Sequence, residues 1–385
     1  MKKIFGAFCL FMCVLYCLCS CTDTSSEKLL YPNKTSVGST RGVIYENTVF
    51  YFDRTTRSIK YQNIDAITET GKPLINDPLL ENEFNPFVDM STGVYMLIDH
   101  EATAQNNNFP VLIVAYKDFT DIKNPHYSIV SFNSKNNKIT VIKDDIYDNI
   151  QTLHLHNNVV YYTLNRGNDG YDMCKVYKNG KNFSKKENPE KLLYRIHTIY
   201  NDKIYYSLDG LDKVYSCNLD FSEDTFLVDA VLKSDFFIHN DFFYYYSNLV
   251  QGSLDTFPVY SADLMRFPLS SPSSREVVLE KLSVGLNFES KFYYYRSSPR
   301  LIGNGRYDDG TNVLNVLDLD TGESSVFYDL GDNNSTTYYE ILSDTWIYFR
   351  STDYSKKTDD SYSSTSITDY YVINVNTKEQ IIITQ

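Results

Sequence analysis

A short pattern recurs seven times along this 385-residue chain: a two-residue polar turn leads directly into a strand rich in aromatic residues. The strands read TVFYF, GVYML, VVYYT, KIYYS, FFYYY, KFYYY and TWIYF. The turns before them are Glu46-Asn47, Ser91-Thr92, Asn157-Asn158, Asn201-Asp202, Asn240-Asp241, Glu289-Ser290 and Ser343-Asp344. A repeat of this kind, built only from strands, predicts a β-propeller.

Both sides of these aromatic strands are apolar. One column of the aligned repeats contains Val49, Val94, Val160, Ile204, Phe243, Phe292 and Trp346. The next column contains Phe50, Tyr95, Tyr161, Tyr205, Tyr244, Tyr293 and Ile347. Consecutive side chains of a strand point to opposite faces of the sheet, so both faces must be covered. This favours sheets that pack side by side around an axis over a sheet with one face in water.

Two further strands follow in each repeat, as in Lys213 to Asn218 and Thr225 to Val228 of the fourth repeat. Four strands in each of seven repeats predict an all-β fold, a seven-bladed β-propeller of four-stranded antiparallel blades over residues 41–385. We find no segment with a helical period. The last repeat supplies its own outer strand, from Gln380 to Thr384.

The first residues of the chain have the pattern of a secretory signal. Lys2 and Lys3 precede an uncharged run from Ile4 to Cys19, which is short for a membrane span of about 20 residues. The run ends in Leu18-Cys19-Ser20-Cys21, which resembles the lipobox of bacterial lipoproteins. We therefore interpret residues 1–20 as a lipoprotein signal peptide and residues 21–40 as a lipidated Cys21 with a flexible, polar tether. The alternatives are an uncleaved N-terminal anchor and a secretory signal that contains cysteines by chance.

These features predict an extracytoplasmic protein that a lipid on Cys21 holds on a bacterial membrane. The formal net charge of −13 argues against nucleic acid or an anionic membrane surface as the main partner. Cys174 and Cys217 are the only cysteines after the tether, and they show no metal-ligand spacing. We expect two free thiols, with a disulfide as the alternative, and a monomer without cofactor or metal.

Two of the repeats resemble those of a known family. The segments KIYYSLDGLDKVYSCNLD and VVYYTLNRGNDGYDMCKVYKNGK are similar to the repeats of bacterial lipoprotein propellers of the type named DUF5050. Those proteins are distant relatives of the YWTD propellers of low-density lipoprotein receptors, and YYTL and YYSL stand here in the place of YWTD. The resemblance covers residues 42–385 as a pattern. It implies a propeller in a secreted context, and it implies no reaction.

The predicted connections differ between the two ends of the blades. All seven connections between first and second strands have two residues, whereas four connections between second and third strands are long. The long connections are Asp99 to His126, Ser247 to Pro258, Ser297 to Thr311 and Ser351 to Thr368. Loops of about 12 or more residues in a compact domain commonly carry function. We therefore predict that the end with the long connections is the binding face.

Nine residues are candidates for binding on that face. Asp99, Asn165, Arg166, Asp209 and Asn248 lie where second strands are predicted to end, and Arg300, Arg306, Tyr307 and Asp309 lie in the sixth repeat, in SSPRLIGNGRYDDGTN. Arg and Tyr together suit the recognition of carboxylates, sugars or peptides. The alternative interpretation is that these polar residues only mark strand ends and loops in water.

Motifs of common enzyme classes were not found: the chain has no nucleophile elbow, zinc-protease, P-loop or dinucleotide-binding motif. The leading hypothesis is a non-catalytic binding or scaffolding module for a protein, peptide or glycan. One alternative is a glycan-active hydrolase or lyase with carboxylates, such as those of Asp99, Asp209 and Asp309, at the top of the channel. Another alternative is an envelope-assembly factor.

Four histidines are predicted on the first strands of three repeats: His154, His156, His197 and His239. A cluster of imidazoles could bind a metal ion. Their positions relative to the turns differ, except that His156 and His239 share one. Structural roles are therefore favoured over a metal site.

Overall fold

The computed structural model describes residues 42–45, 48–53, 58–63, 72–73, 95–118, 125–136, 138–187, 193–209, 212–230, 236–253, 258–283, 292–297, 301–302, 306–307, 313–329, 335–341, 346–353, 367–374 and 376–384. The predicted signal peptide, Cys21 and the tether lie outside the described residues. Within the described part, most residues lie in β-strands, and the helical elements are one short α-helix and a single 3-10 turn at Gly167–Asp169. No helix among these residues is long and apolar enough to cross a membrane.

Four antiparallel four-stranded sheets follow one another, each with its strands side by side in chain order. Sheet 1 contains β1 (Gly42–Tyr45), β2 (Thr48–Asp53), β3 (Ser58–Asn63) and β4 (Lys72–Pro73). Sheet 2 contains β5 (Tyr95–Ile98), β6 (Val111–Asp118), β7 (His126–Asn133) and β8 (Lys138–Ile146). Sheet 3 contains β9 (Asn149–His156), β10 (Val159–Asn165), β11 (Tyr171–Tyr177) and β12 (Ser184–Glu187). Sheet 4 contains β13 (Leu193–Tyr200), β14 (Lys203–Asp209), β15 (Lys213–Asn218) and β16 (Thr225–Asp229).

The next seven-stranded sheet, here called the joined sheet, has two halves. Its first half contains β17 (Phe237–His239), β18 (Phe242–Ser253), β19 (Pro258–Pro268) and β20 (Glu276–Ser283). Its second half contains β21 (Phe292–Ser297), β24 (Val313–Asp318) and β25 (Ser324–Asp329), and a separate hairpin contains β22 (Leu301–Ile302) and β23 (Arg306–Tyr307). The C-terminal sheet contains β26 (Ser335–Ile341), β27 (Trp346–Asp353), β28 (Ile367–Asn374) and β29 (Gln380–Thr384). The last repeat thus supplies its own outer strand, as predicted.

Three of the predicted two-residue turns have described backbones, and all three are left-handed at both positions. The φ angles are 47° and 62° at Asn157-Asn158, 48° and 56° at Asn201-Asp202, and 47° and 62° at Asn240-Asp241. Asn and Asp tolerate this conformation better than other residues with a side chain, and it matches the twist of the flanking strands. The hairpins predicted at these positions are confirmed.

The hydrophobic core lies mainly between the sheets, and four of its clusters each join two consecutive sheets. Val160 and Tyr162 of β10 pack against sheet 2, whereas Val159 and Tyr161 of the same strand pack against sheet 4. The first strands of successive sheets also contact one another, from β1 through β5, β9 and β13 to β17. Both faces of the central sheets are therefore covered by neighbouring sheets, which is the packing of a β-propeller.

The two halves of the joined sheet also pack face to face. Phe237 and Tyr244 lie in one cluster with Tyr293 and Leu317 of the second half. The rings of Phe237 and Tyr293 are stacked with centroids 5.8 Å apart. The two halves belong to one sheet because the end of β20 pairs with the end of β21. The paired residues are Leu282 with Ser297 and Ser283 with Arg296.

Hydrogen bonds near the tight turns connect consecutive sheets. The residue just before a turn bonds to an aspartate of the next sheet: His156 Nε2 lies 2.8 Å from Asp202 Oδ1, and the Tyr200 hydroxyl donates to Asp241 Oδ1 over 2.9 Å. His239 Nε2 lies 2.8 Å from Asp320 Oδ1 in the second half of the joined sheet. These bonds place the turns of consecutive sheets at one end of the molecule. They also explain why His156 and His239 share a position in the repeat.

Sheet 2 departs from the predicted strand order. The segment GVYML was predicted to contain a second strand after a turn at Ser91-Thr92, but its residues in β5 form the first strand of the sheet. β6 is the second strand, because it pairs with β5 on one edge and with β7 on the other. The connection between β5 and β6 holds the helix α1 (His100–Gln105). The prediction of a two-residue turn in every repeat is therefore wrong. The segment from Asp99 to His126, which was predicted to connect a second and a third strand, instead contains α1 and β6.

A second correction concerns a long connection of the fifth repeat. The segment from Ser247 to Pro258 was predicted as a loop, but β18 extends to Ser253 and β19 begins at Pro258. The two strands pair up to Ser253 and Pro258, with an irregularity between Ser247 and Val250. The long connection of the sixth repeat contains the hairpin of β22 and β23, and residues 354–366 of the last repeat lie outside the described residues.

Cys174 and Cys217 are both buried and free. Cys174 lies in the cluster between sheets 2 and 3, whereas Cys217 lies in the cluster between sheets 3 and 4. They therefore lie on opposite sides of sheet 3. Burial raises the pKa of both thiols, that of Cys217 to about 12, which makes them poor nucleophiles. The expectation of two free thiols is confirmed.

Candidate functional site

The antiparallel sheets have two ends with different connections. The first-to-second and third-to-fourth connections lie at one end, which we call the turn face. The second-to-third connections lie at the other end, which we call the loop face. The predicted binding residues were all expected on the loop face.

Asn165 and Arg166 lie on the loop face, as expected, where β10 ends. The Asn165 side chain accepts a hydrogen bond from the main chain of Gly167 over 2.7 Å. Gly167 has φ of +65°, so the bond and the left-handed glycine together form a tight turn into β11. This turn directs Arg166 towards Asp172, and the Arg166 Nη2 atom lies 3.0 Å from Asp172 Oδ1.

Asp172 is the centre of this charged group on the loop face of sheet 3. It is only 1% exposed and faces sheet 2, on the same side of β11 as Cys174. Lys185 Nζ lies 3.9 Å from the second carboxylate oxygen of Asp172 and is also paired with Glu187. Burial raises the pKa of Asp172, although Arg166 and Lys185 act in the opposite direction. We call these four residues the Asp172 network.

One polar atom of the Asp172 network lacks a partner. Arg166 Nε is buried and has no hydrogen-bond partner among the described atoms, whereas Asp172 Oδ1 belongs to the 3.0 Å ion pair with Arg166 Nη2. A buried polar atom without a partner is uncommon in proteins, because it has lost its water and gained nothing in return. The network therefore has hydrogen-bonding capacity that a ligand or an ordered water could use.

The loop face of sheet 2 carries a second polar group. Asp144 accepts a hydrogen bond from the Ser128 hydroxyl over 2.5 Å and lies 3.2 Å from His126 Nε2. Burial by itself would raise the pKa of Asp144, but these hydrogen bonds and the nearby His126 lower it overall. Ligand atoms of His126, Asp144 and Asp145 lie within 4.8 Å of one another, which is compatible with binding of a divalent cation. Tyr147 follows in the link to sheet 3, with its side chain 64% exposed and its ring 5.9 Å from that of His126.

The remaining predicted residues are spread over the molecule. Asn248 is exposed in β18, where its amide donates to Asp263 over 2.8 Å. Asp209 ends β14 on the loop face, and Arg306 and Tyr307 form β23. Arg300 and Asp309 lie outside the described residues. The described structure therefore brings Asn165 and Arg166 together and leaves Asn248 in a different sheet.

Asp99 is not on the loop face, which corrects its predicted position. It follows β5, the first strand of sheet 2, and therefore lies on the turn face. Its carboxylate accepts a hydrogen bond from the main chain of Ala102 over 3.0 Å, which caps α1. Its other oxygen lies 2.5 Å from Lys178 Nζ in sheet 3. Asp99 is a buried structural residue that fixes α1 to the neighbouring sheet.

The four histidines lie on first strands, as predicted, but each has a different partner. His154 Nε2 is 3.2 Å from the Ile196 carbonyl, and His197 Nε2 is 2.8 Å from the Ser207 hydroxyl. His156 and His239 bond to aspartates of the next sheets. These bonds hold the sheets together and do not direct the imidazoles to a common point.

Several residues of the loop face were missed by the sequence analysis. Asp172 had a visible signal, because YDMCKVY places an acid next to the apolar residues Met173 and Cys174 of a predicted strand. No such signal marks His126, Asp144 and Lys185 in the sequence. His126 lies close to Asp144, and Lys185 close to Asp172, only because their strands are neighbours in a sheet. Tyr147 resembles many other tyrosines of the chain until its exposure is known.

Comparisons with known proteins give structural similarity only. No family model matches the chain, and no curated protein matches it. It is similar to a prolyl endopeptidase (10% identity, TM-score 0.44), covering 89% of this chain and 47% of that one. It is also similar to a chain of the nidogen/laminin complex (12% identity, TM-score 0.37, covering 77% of this chain and 93% of that one). A third similar structure is the β-propeller domain of the Trilobed protease from Pyrococcus furiosus (10% identity, TM-score 0.47, covering 91% of this chain and 96% of that one).

Proposed function

We propose that this chain is an extracytoplasmic bacterial lipoprotein, anchored through Cys21, whose seven-bladed propeller is a non-catalytic module that binds a protein, peptide or glycan through the loop face. Seven blades follow if the two halves of the joined sheet are counted as separate blades. Their face-to-face cluster around Phe237 and Tyr293 supports this division. The resemblance of the repeats to DUF5050 propellers supports the secreted context.

The Asp172 network is the observation that carries the binding proposal. It places an arginine and a lysine around a buried carboxylate at the loop face, and the buried Arg166 Nε has no hydrogen-bond partner among the described atoms. Exposed Tyr147 lies in the link between β8 and β9, at the same face. Arg and Tyr are the residue types that contribute most to binding energy in protein interfaces. Fixed polar groups beside an exposed aromatic ring suit a macromolecular ligand.

The geometry removes Asp99 from the glycan-hydrolase alternative. That alternative required carboxylates of different blades to meet at one end of the channel. Asp99 lies on the turn face and is committed to Lys178 and α1, whereas Asp209 lies on the loop face. These two residues cannot act on one glycosidic bond.

Lipid anchoring through Cys21 gives the first testable expectation. The wild-type protein should sediment with membranes, and the Cys21→Ala protein should lose this association, because Cys19, the other cysteine of the proposed lipobox, follows bulky Leu18 where the lipobox has a small residue. Cys19→Ala is the matched control, and it should remain with the membranes. Cell fractionation and detection of the lipidated N-terminal peptide by mass spectrometry measure both. Membrane retention of Cys21→Ala at the wild-type level would contradict the proposed anchor.

Binding at the loop face can be tested with a photo-crosslinking residue in the full-length protein on living cells. Tyr147 on the loop face and Tyr177 at the turn face are both exposed tyrosines, so they form a matched pair of positions. Crosslinked products should form from position 147 and not from position 177. Sensitivity of the product to protease or to glycosidases then identifies the ligand class.

Two outcomes would contradict the proposal. Absence of crosslinked product at position 147, with or without product at position 177, would remove the loop face as the binding surface. Conversion of the captured ligand by an excess of purified protein would show that the module is catalytic.

A further inference from the structure

A groove lies beside α1, at the turn-face end of sheet 2. One wall is formed by α1, and the other by the ends of β7 and β8 that approach the turn face. Its volume is about 310 Å³, within the range of small-molecule sites, which begins at about 300 Å³. The lining residues are Ala102, Gln105, Asn106, Val111, Ser131, Asn133, Lys138 and Thr140.

The lining of the groove is polar and almost neutral. It contains three carboxamides, two hydroxyls and one ammonium group, and its apolar part consists of Ala102 and Val111. Carboxamides and hydroxyls can each donate and accept hydrogen bonds, so they match a ligand that is itself covered with hydroxyl groups. A peptide ligand would instead need apolar pockets for its side chains. The small apolar side chains of this groove do not offer such pockets.

Asn106 and Asn133 form a fixed pair in this lining. Asn106 Nδ2 donates to Asn133 Oδ1 over 3.0 Å and to the Phe109 carbonyl over 2.9 Å. Asn133 Oδ1 also accepts from the main chain of Lys135 over 2.9 Å. In the described structure, these bonds use the donors of Asn106 and the acceptor of Asn133. Asn106 Oδ1 and Asn133 Nδ2 remain for a ligand, as one acceptor and one donor on neighbouring amides.

The helical wall of the groove is held rigidly. The buried Thr103 hydroxyl accepts a hydrogen bond from the main chain of Val111 over 2.9 Å. Asn158 of sheet 3 donates to Glu101 over 3.0 Å, and Asp99 is paired with Lys178. In sheet 2, α1 lies in the connection between the first and second strands. The three two-residue turns described above make this connection in other sheets without a helix. A rigid wall reduces the entropy that a ligand must offset when it binds.

We propose that this groove is a binding site for a neutral carbohydrate of one or two sugar units. The acceptor on Asn106 and the donor on Asn133 would hydrogen-bond to adjacent hydroxyl groups of one sugar ring. Ser131 and Thr140, which face each other across β7 and β8, would contact the rest of the ring. This site lies on the turn face, so it is separate from the binding proposed for the loop face and does not depend on it.

The Asn133→Asp substitution tests the proposal. Aspartate keeps the acceptor oxygens that bond to Asn106 and Lys135, but it loses the donor that remains for the ligand. Asn179→Asp is the matched control, because Asn179 also accepts from the main chain two residues on, at Lys181, and lies outside the groove. Full-length protein in detergent is applied to an array of neutral and acidic glycans. Affinity for soluble neutral mono- and disaccharides selected on the array is then measured by calorimetry.

We expect binding of at least one neutral glycan, a loss of about tenfold or more in affinity with Asn133→Asp, and no loss with Asn179→Asp. Thermal unfolding controls for folding of both variants. The proposal is wrong if no neutral glycan binds, or if both substitutions change the affinity equally. Binding of acidic glycans alone, lost with Lys138→Met, would overturn the assignment to neutral sugars. None of these results affects crosslinking at Tyr147, so failure here is distinguishable from failure of the loop-face proposal.

Discussion

Replacing Phe243 with alanine is expected to lower the free energy of unfolding by about 4 kcal/mol, in the range for large aromatic residues in a core. Phe243 is 0% exposed and lies in the cluster between sheet 4 and the joined sheet. Its ring centroid is 4.8 Å from that of Phe236 and 5.0 Å from that of Phe267. The substitution removes contacts within one sheet and between two sheets at once, and the surrounding strands cannot move inwards to close the cavity.

Urea denaturation of the purified protein, followed by tyrosine and Trp346 fluorescence, measures this change. Phe226→Ala is the control, because Phe226 belongs to the neighbouring sheet 4 and is 47% exposed. We expect it to cost less than about 1 kcal/mol, as for most surface substitutions. A similar cost for both substitutions would mean that the packing between sheets contributes little to stability.

The aromatic columns show which part of the fold could be predicted from the sequence. In β10 and β14, consecutive bulky residues indicated that both faces are covered, and Tyr161 and Tyr162 indeed pack against different sheets. The prediction succeeded because the direction of a side chain depends only on its position along its own strand. The hairpins at Asn157-Asn158 and Asn201-Asp202 were predictable for the same reason, since their conformation is local.

Sheet 2 shows where this reasoning stops. GVYML fits the repeat as well as its equivalents do, yet its strand β5 is first in the sheet rather than second. The order of strands is decided by pairing with distant residues, and here by α1, which begins at a capping residue and ends after six residues. A helix of this length leaves no period in the sequence. For this reason alone, the prediction that Asp99 lies on the loop face was wrong.

The same distinction applies to the candidate site: local features could be predicted from the sequence, and contacts between strands could not. Asn165 and Arg166 were placed correctly at the end of β10, because the end of a strand can be read from the chain itself. Asp172, the partner of Arg166, and Lys185, the second cation near Asp172, come from β11 and β12, and pairing of the strands brings them together. The groove beside α1 was not predictable, since its two walls come from segments whose order in the sheet was misassigned.

Replacing Asp99 with alanine is expected to lower the free energy of unfolding by about 3 kcal/mol. Two effects add up. Loss of a helix cap costs about 1 kcal/mol, and removal of one partner of a buried ion pair costs about 3 to 5 kcal/mol. Asp99 is 1% exposed, but the side chain of Lys178 is 20% exposed and can turn towards water, which reduces the second cost.

Glu101→Ala is the control for Asp99→Ala in the same urea experiment, because Glu101 lies in α1 and also bonds to sheet 3, but it is exposed. Its loss should cost less than about 1 kcal/mol. Lys178→Met separates the two effects, since it removes the ion pair and leaves the cap in place. If Asp99→Ala costs only about 1 kcal/mol and Lys178→Met costs nothing, the ion pair does not stabilise the fold. In that case, α1 is fixed to sheet 3 mainly through Asn158 and Glu101, and the helical wall of the groove should survive the loss of Asp99.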